Sequence, residues 1–190
     1  FTNKSRPPLE DSPATSATLA TYYLRKFASD NDQPEAEASV EKGRRWLFDY
    51  QPERQEDENS LLWGMHLLGA GDEMTSKARQ RVLQSQRADG GWGQLPDMPS
   101  DAYATGQALW TLQETGLPTT DPCYQRGVTY LLKTQREDGS WLVKTRSKPI
   151  QRHFESGFPH GKDQFISICG TSWAVAALAA TQPVASDPPK

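Results

Sequence analysis

Apolar side chains along this chain recur at three- and four-residue spacings, the period of a helix that buries one face. Ser12 followed by Pro13 is a good N-cap and first-turn pair, and Leu19, Tyr22, Tyr23 and Phe27 carry the predicted helix to about Ser29. A polar loop follows, with Pro34 suited to the first turn of a second helix over 34–50 that contains Val40, Trp46, Leu47 and Phe48. Leu61, Leu62 and Met65 predict a third helix over 57–68, closed by Gly69 and Gly71. A fourth spans 75–86, and a fifth opens at Ser100 or Asp101 and ends near Gly116. A sixth covers 121–134, and a seventh covers 163–180 after some twenty residues of loop. Residues 1–11 read as a Pro-rich lead-in, 12–182 as one repeat domain, and 183–190 as a disordered or linking tail.

The helices alternate in type. Those over 75–86 and 121–134 carry long side chains on an amphipathic pattern, while the fifth and seventh are rich in Ala, Ser, Thr and Gly. Small residues let helix axes approach closely, so the second kind belongs on the inside of a curved array. Each long-residue helix runs into the same turn. Gln86, Asp89, Gly90 and Trp92 recur as Gln135, Asp138, Gly139 and Trp141, every pair 49 residues apart. A fixed period of this size marks a repeat architecture. Gln can both donate and accept at neighbouring helix ends. Gly supplies the positive φ of a sharp turn, and Trp covers that turn with a large apolar face. These eight residues are therefore read as structural.

The second copy runs Arg126-Gly127, Tyr130-Leu131-Leu132, Gln135, Gly139-Ser140-Trp141. It resembles the QW motif of squalene–hopene and oxidosqualene cyclases and the related repeats of protein prenyltransferase β subunits. Residues 41–47 resemble the start of a third, degenerate copy that lacks the Asp-Gly-x-Trp close. The resemblance covers about residues 34–182. It implies an all-α fold of helical hairpin repeats forming part of an α/α toroid, and a bacterial-type cyclase-like protein. About half a ring is present, so the resemblance also implies contact with other segments of the same protein or with a partner protein.

Composition narrows the picture. Twenty-one basic and 24 acidic side chains give a net charge of −3, well mixed, which argues against a nucleic-acid partner. No run approaches the ~18 apolar residues of a membrane span, so a soluble chain is expected; its compartment is left open, extracytoplasmic included. A chain that starts at Phe1 without a charged-then-apolar leader reads as processed or partial. Cys123 and Cys169 permit one disulfide at most.

The resemblance also says where chemistry belongs. Squalene–hopene cyclases protonate their substrate from a DxDDT segment opening an inner helix. The matching place here is Asp101-Ala102-Tyr103-Ala104-Thr105, which puts Tyr103 at the proton donor. A phenol, with a pKa near 10, cannot replace a strong carboxylic acid, so Asp101 is read first as a helix cap. Prenyltransferases hold zinc with Asp, Cys and His. Asp121-Pro122-Cys123 matches the letters but opens an outer helix, so no metal and no cofactor is expected.

The long loop gathers His153, Glu155, His160 and Asp163 ahead of an inner helix, and loops of this length are often functional. The weak catalytic candidates are Asp101, Glu155, His160 and Asp163. Their structural alternative has Asp163 capping the seventh helix while Phe154, Phe158 and Pro159 seal the array. Aromatics make up only 9% of the chain, with Trp92 and Trp141 committed to the motifs. The favoured reading is a non-catalytic cyclase-like module that binds a partner or an apolar, isoprenoid ligand. The alternative is the C-terminal part of a cyclase whose acid lies elsewhere.

Overall fold

A computed structural model describes residues 6–150 and 152–182. Among them the chain forms seven α-helices and no strand: α1 Pro13–Phe27, α2 Gln33–Asp49, α3 Gln55–Leu68, α4 Asp72–Gln84, α5 Ala102–Glu114, α6 Pro122–Thr134 and α7 Gln164–Ala179. All seven expected helices are present. Their starts follow from local chemistry: Ser12 accepts from Thr15 N, Asp101 from Ala104 N and Asp121 from Cys123 N, each satisfying an orphan donor of a first turn. α3 and α4 begin two to three residues before their expected starts. Both first turns are acidic, with Glu56, Asp57 and Glu58 in α3 and Asp72 and Glu73 in α4, and negative charge is favoured there.

The helices form two layers. α1, α3, α5 and α7 pack side by side in chain order, and α2, α4 and α6 lie behind the seams between them. Small residues set the spacing of the first layer. A Cβ on Gly106 would lie 2.5 Å from the backbone carbonyl carbon of Trp173, and one on Gly64 would lie 2.6 Å from Thr18 Oγ1. The main core sits between the layers around α5, with Leu62, Val82, Trp92, Leu109, Leu112, Tyr124, Leu131 and Trp141 fully buried or nearly so. Each such side chain contributes about 1.5–3 kcal/mol by leaving water. A smaller cluster of Ala14, Leu47, Leu61 and Leu68 joins α1, α2 and α3.

The two 49-residue copies fold alike. Trp92 Nε1 donates to Val82 O and Trp141 Nε1 to Leu131 O, both at 2.8 Å. Gln86 Nε2 donates to Gly90 O at 2.9 Å, and Gln135 Nε2 to Gly139 O at 3.0 Å. Asp89 Oδ1 accepts from Gly91 N, as Asp138 Oδ1 accepts from Ser140 N. Gly90 and Gly139 take φ of +88° and +81°. Each turn is pinned to the next first-layer helix: Thr105 Oγ1 accepts from Trp92 N at 2.9 Å, and Thr171 Oγ1 from Trp141 N at 3.2 Å. The helix α2 ends differently. There Tyr50 stacks on Trp46 and reaches the buried Asp57, which also accepts from Ser12 Oγ at 2.6 Å and Glu53 N at 3.2 Å.

The long loop is fastened at several points. Ser167 Oγ accepts from Val143 N, Gln94 Oε1 accepts from Arg146 Nε, and Gln164 links Ser156 N to Phe154 O. Two expectations are corrected here. Asp163 makes no side-chain cap on α7; it lies in a 3-10 turn, Gly161–Asp163, and its carboxylate takes Thr145 N at 2.9 Å and Lys144 Nζ at 3.1 Å. Loop closure outcompetes capping because two donors, one of them charged, converge on it. Phe154 does not seal the array, being 63% exposed. Cys123 and Cys169 are unpaired, one buried and one exposed. The expected tail, residues 183–190, lies outside the described residues, as do residues 1–5 of the lead-in.

Candidate functional site

Four first-layer helices present a common face, polar at one end and aromatic along its length. The polar end is built on Glu56 in the first turn of α3, which is 2% exposed. Its Oε1 accepts from Thr15 Oγ1 of α1 and Gln107 Nε2 of α5, both at 3.0 Å, and its Oε2 accepts from the Tyr103 hydroxyl at 3.1 Å. Asn59 Nδ2 donates to Gln107 Oε1 at 2.8 Å, and Gln55 Nε2 to Asn59 Oδ1 at 3.0 Å. A single buried carboxyl thus ties three helices together.

Burial pushes the Glu56 carboxyl above its ordinary pKa, against the opposing pull of its bonds from Gln107, Thr15 and Tyr103. Burial and the neighbouring Glu56 raise the Tyr103 phenol well above its usual range. This pair can orient or accept, but it makes a poor strong acid. Starting a cation cascade on an alkene needs a carboxylic acid made stronger by its neighbours, and here the environment works in the other direction.

The aromatic part is a ladder with one ring from each helix. Tyr22 of α1 lies 6.4 Å from Trp63 of α3, Trp63 lies 5.5 Å from Trp110 of α5, and Trp110 lies 5.2 Å from Trp173 of α7, centroid to centroid. All four are half-buried. Tyr23 and Phe27 extend the ladder beyond Tyr22 and are largely exposed. Thr15 and Tyr22, Glu56 and Trp63, and Tyr103 and Trp110 are each seven residues apart. Two helical turns therefore separate the polar end from the ladder, roughly 10 Å along each axis. The sequence held this signal as paired intervals, 41 residues from Thr15 to Glu56 and from Tyr22 to Trp63, then 47 from Glu56 to Tyr103 and from Trp63 to Trp110. Glu56 and the ladder were not among the expected site residues.

The four expected candidates do not assemble. Asp101 caps α5 and holds Gln94 Nε2 at 2.9 Å; burial raises its pKa, partly offset by those bonds. His160 Nε2 lies 2.7 Å from Ser140 Oγ, whose hydroxyl points to Asp138 Oδ1 at 2.6 Å. The serine proton is thus directed at the carboxylate, and His160 supplies the donor to the hydroxyl, which makes a clamp and not an activated nucleophile. His160 holds a φ of +86°, unusual for a residue with a side chain. Asp163 fastens the loop. Burial would raise its pKa, but the Thr145 N–H and the Lys144 ammonium outweigh that and hold it low. Glu155 is exposed, and its carboxylate meets Gly157 N and His153. Asp121 is engaged by Cys123 N at 2.7 Å. Among the described residues, no three His, Cys, Asp or Glu side chains converge to hold a metal ion. Among them, too, no helix is long and apolar enough to cross a membrane.

No family model matches the chain. It is 31% identical over 137 residues to a squalene–hopene cyclase of Bradyrhizobium diazoefficiens, a match covering 62% of this chain and 19% of that protein. A probable squalene–hopene cyclase of Sinorhizobium fredii matches with the same identity and coverage. A squalene–hopene cyclase of Schizosaccharomyces japonicus is 28% identical over 121 residues, 51% of this chain and 18% of that protein. The chain thus spans about a fifth of the length of the curated relatives it matches. By this shared sequence, the chain stands in a cyclase-like superfamily relationship with the squalene–hopene cyclases.

Proposed function

We propose that this chain forms one wall of an apolar cavity in a squalene-cyclase-type protein. It holds an isoprenoid chain against Tyr22, Trp63, Trp110 and Trp173, and it does not itself supply the proton that begins cyclisation. The observation that carries this reading is the ladder of four half-exposed rings, one from each first-layer helix. Stacked π faces offer a long hydrocarbon a continuous apolar track and attract positive charge that develops along it. The relatives act on squalene by name, and a track of this chemistry suits such a substrate. In this reading residues 12–182 are one part of a larger toroid, with the catalytic acid supplied by sequence outside these 190 residues.

A second reading is a repeat module with no catalytic task, binding an apolar ligand or a partner protein. It is favoured by Tyr103 at the position of the acid and by the raised pKa of Glu56. Incubating the intact protein with squalene separates the two. Cyclised product supports the cyclase reading, whereas squalene recovered bound and unchanged supports the module. Both readings require the ladder to bind.

A further inference from the structure

The two repeats fill the space beside their motif turns differently. At the first, Gln55 in the opening turn of α3 bridges the layers. Its Oε1 accepts from Ser85 Oγ at the end of α4 across 2.8 Å, and its Nε2 donates to Asn59 Oδ1 at 3.0 Å. The 47-residue interval that relates Glu56 to Tyr103 carries Gln55 to Ala102, and the 49-residue interval between the turns carries Ser85 to Thr134. The bridging carboxamide is thus replaced by a methyl group. Thr134 Oγ1 turns back on its own helix, to Tyr130 O at 2.9 Å and Leu131 O at 3.3 Å. Ala102, Tyr130, Thr134 and Trp141 line a cavity of about 400 Å³.

The rim of this cavity is cationic. Lys133 and Arg136 line it and are exposed. Arg87, the counterpart of Arg136, is engaged by Leu95 O and Pro96 O, whereas Arg136 faces the cavity with Asp138 as a charged neighbour. The acidic group of the lining, Asp101, has both oxygens engaged, Oδ1 by Ala104 N and Oδ2 by Gln94 Nε2. A volume of this order suits a small ligand. A carboxylate oxygen accepts from a hydroxyl as the Gln55 carboxamide does from Ser85, and it pairs with an ammonium or guanidinium.

We infer that this cavity is a binding site for a small dicarboxylate. One carboxylate stands where the first repeat has the Gln55 carboxamide and accepts from Thr134 Oγ1. The other lies at the rim with Lys133 and Arg136. The site adjoins the second motif turn and not the aromatic ladder, so it does not depend on what the ladder binds.

The test is NMR titration of the isotopically labelled full chain with glutarate at constant ionic strength, beside glutaramide as its uncharged counterpart. The expected result is saturable shifts of the Lys133 and Thr134 backbone amides with glutarate, and affinity about tenfold weaker for glutaramide. Ala102→Gln supplies the residue of the first repeat and should abolish the shifts. Thr134→Val leaves the cavity open and should weaken binding about tenfold, with the Ser85 amide reporting the intact fold in each variant. No saturable shift in the parent protein would overturn the inference. So would binding that survives Ala102→Gln, equal affinity in Thr134→Val and the parent, or equal affinities for glutarate and glutaramide. Tighter binding of an end-blocked glutamyl peptide would overturn it as well, by giving the cavity to a side chain of a partner protein.

Discussion

The Tyr103 hydroxyl donates to Glu56 Oε2 across 3.1 Å, joining α5 to α3 through two side chains that water barely reaches. Removing the carboxyl leaves Tyr103 and Gln107 with buried donors that have lost their acceptor, while Thr15 keeps Ser12 and Ser60 as partners. Glu56→Ala should lower stability by about 3 kcal/mol, since each orphaned buried group costs on the order of 1–3 kcal/mol. Glu56→Gln keeps one acceptor and the shape, and should cost about 1 kcal/mol or less at neutral pH. Urea unfolding of the three proteins checks this ordering; equal midpoints would show that the network does not join the helices energetically.

The same carboxyl makes stability depend on pH. Glu56 and Asp101 have folded-state pKa values above their ordinary range because burial disfavours their charged forms, and Glu58 is raised to about 7. Above pH ~4 the native state then holds more protons than the unfolded chain, so these groups make stability fall as pH rises through their raised values. For Glu58 that window runs from about 4.5 to about 7. Asp138 and Asp163 are held low. Their contribution is present above the ordinary carboxylate range and is lost as pH falls through their folded values. The clean readout is the difference between Glu56→Gln and the parent protein, which should move in favour of the variant from pH 4.5 to 7.5. Parallel curves would remove Glu56 as a source of the dependence.

Two glycines should respond to alanine in opposite ways to what their backbone angles suggest. Gly106 is helical, yet its Cβ would strike the Trp173 and Ala174 backbone at 2.5 and 2.6 Å. Gly106→Ala should therefore force α5 and α7 apart at a cost of about 1–3 kcal/mol or more. Gly139 has a φ of +81° but open space around it, and Gly139→Ala should cost only about 1 kcal/mol of backbone strain. Thermal unfolding of both variants gives the comparison.

The helices and both motif turns were legible because they are local: apolar spacing, Asp and Ser caps, and a turn that repeats at 49 residues. Asp101 as a cap was also local and was read correctly. The site was not local. Glu56 sits among charged neighbours in an acidic first turn, where the bland reading is a favourable helix-end charge. Only the packing of α1, α3 and α5 shows that Thr15, Tyr103 and Gln107 surround it. Likewise a chain with 9% aromatics looks poor in rings, yet Tyr22, Trp63, Trp110 and Trp173 fall on one face once the first layer is assembled. The loop residues misled in the other direction. Crowding of His153, Glu155, His160 and Asp163 in sequence did not become convergence in space: His153 and Glu155 meet each other at the surface, His160 is drawn to Ser140, and Asp163 to Thr145 and Lys144.

Equilibrium binding of squalene to the full chain, followed by quenching of tryptophan fluorescence, tests the aromatic ladder most directly. Trp110→Ala and Trp173→Ala remove adjacent rungs, and Trp46→Ala removes a ring that stacks on Tyr50 away from the ladder. With folding of each variant verified by circular dichroism, the account predicts saturable binding. Each rung variant should weaken it about tenfold, equivalent to roughly 1.4 kcal/mol, and Trp46→Ala should leave it unchanged. Absence of saturable binding, or equal affinities for the parent and Trp110→Ala, would contradict it.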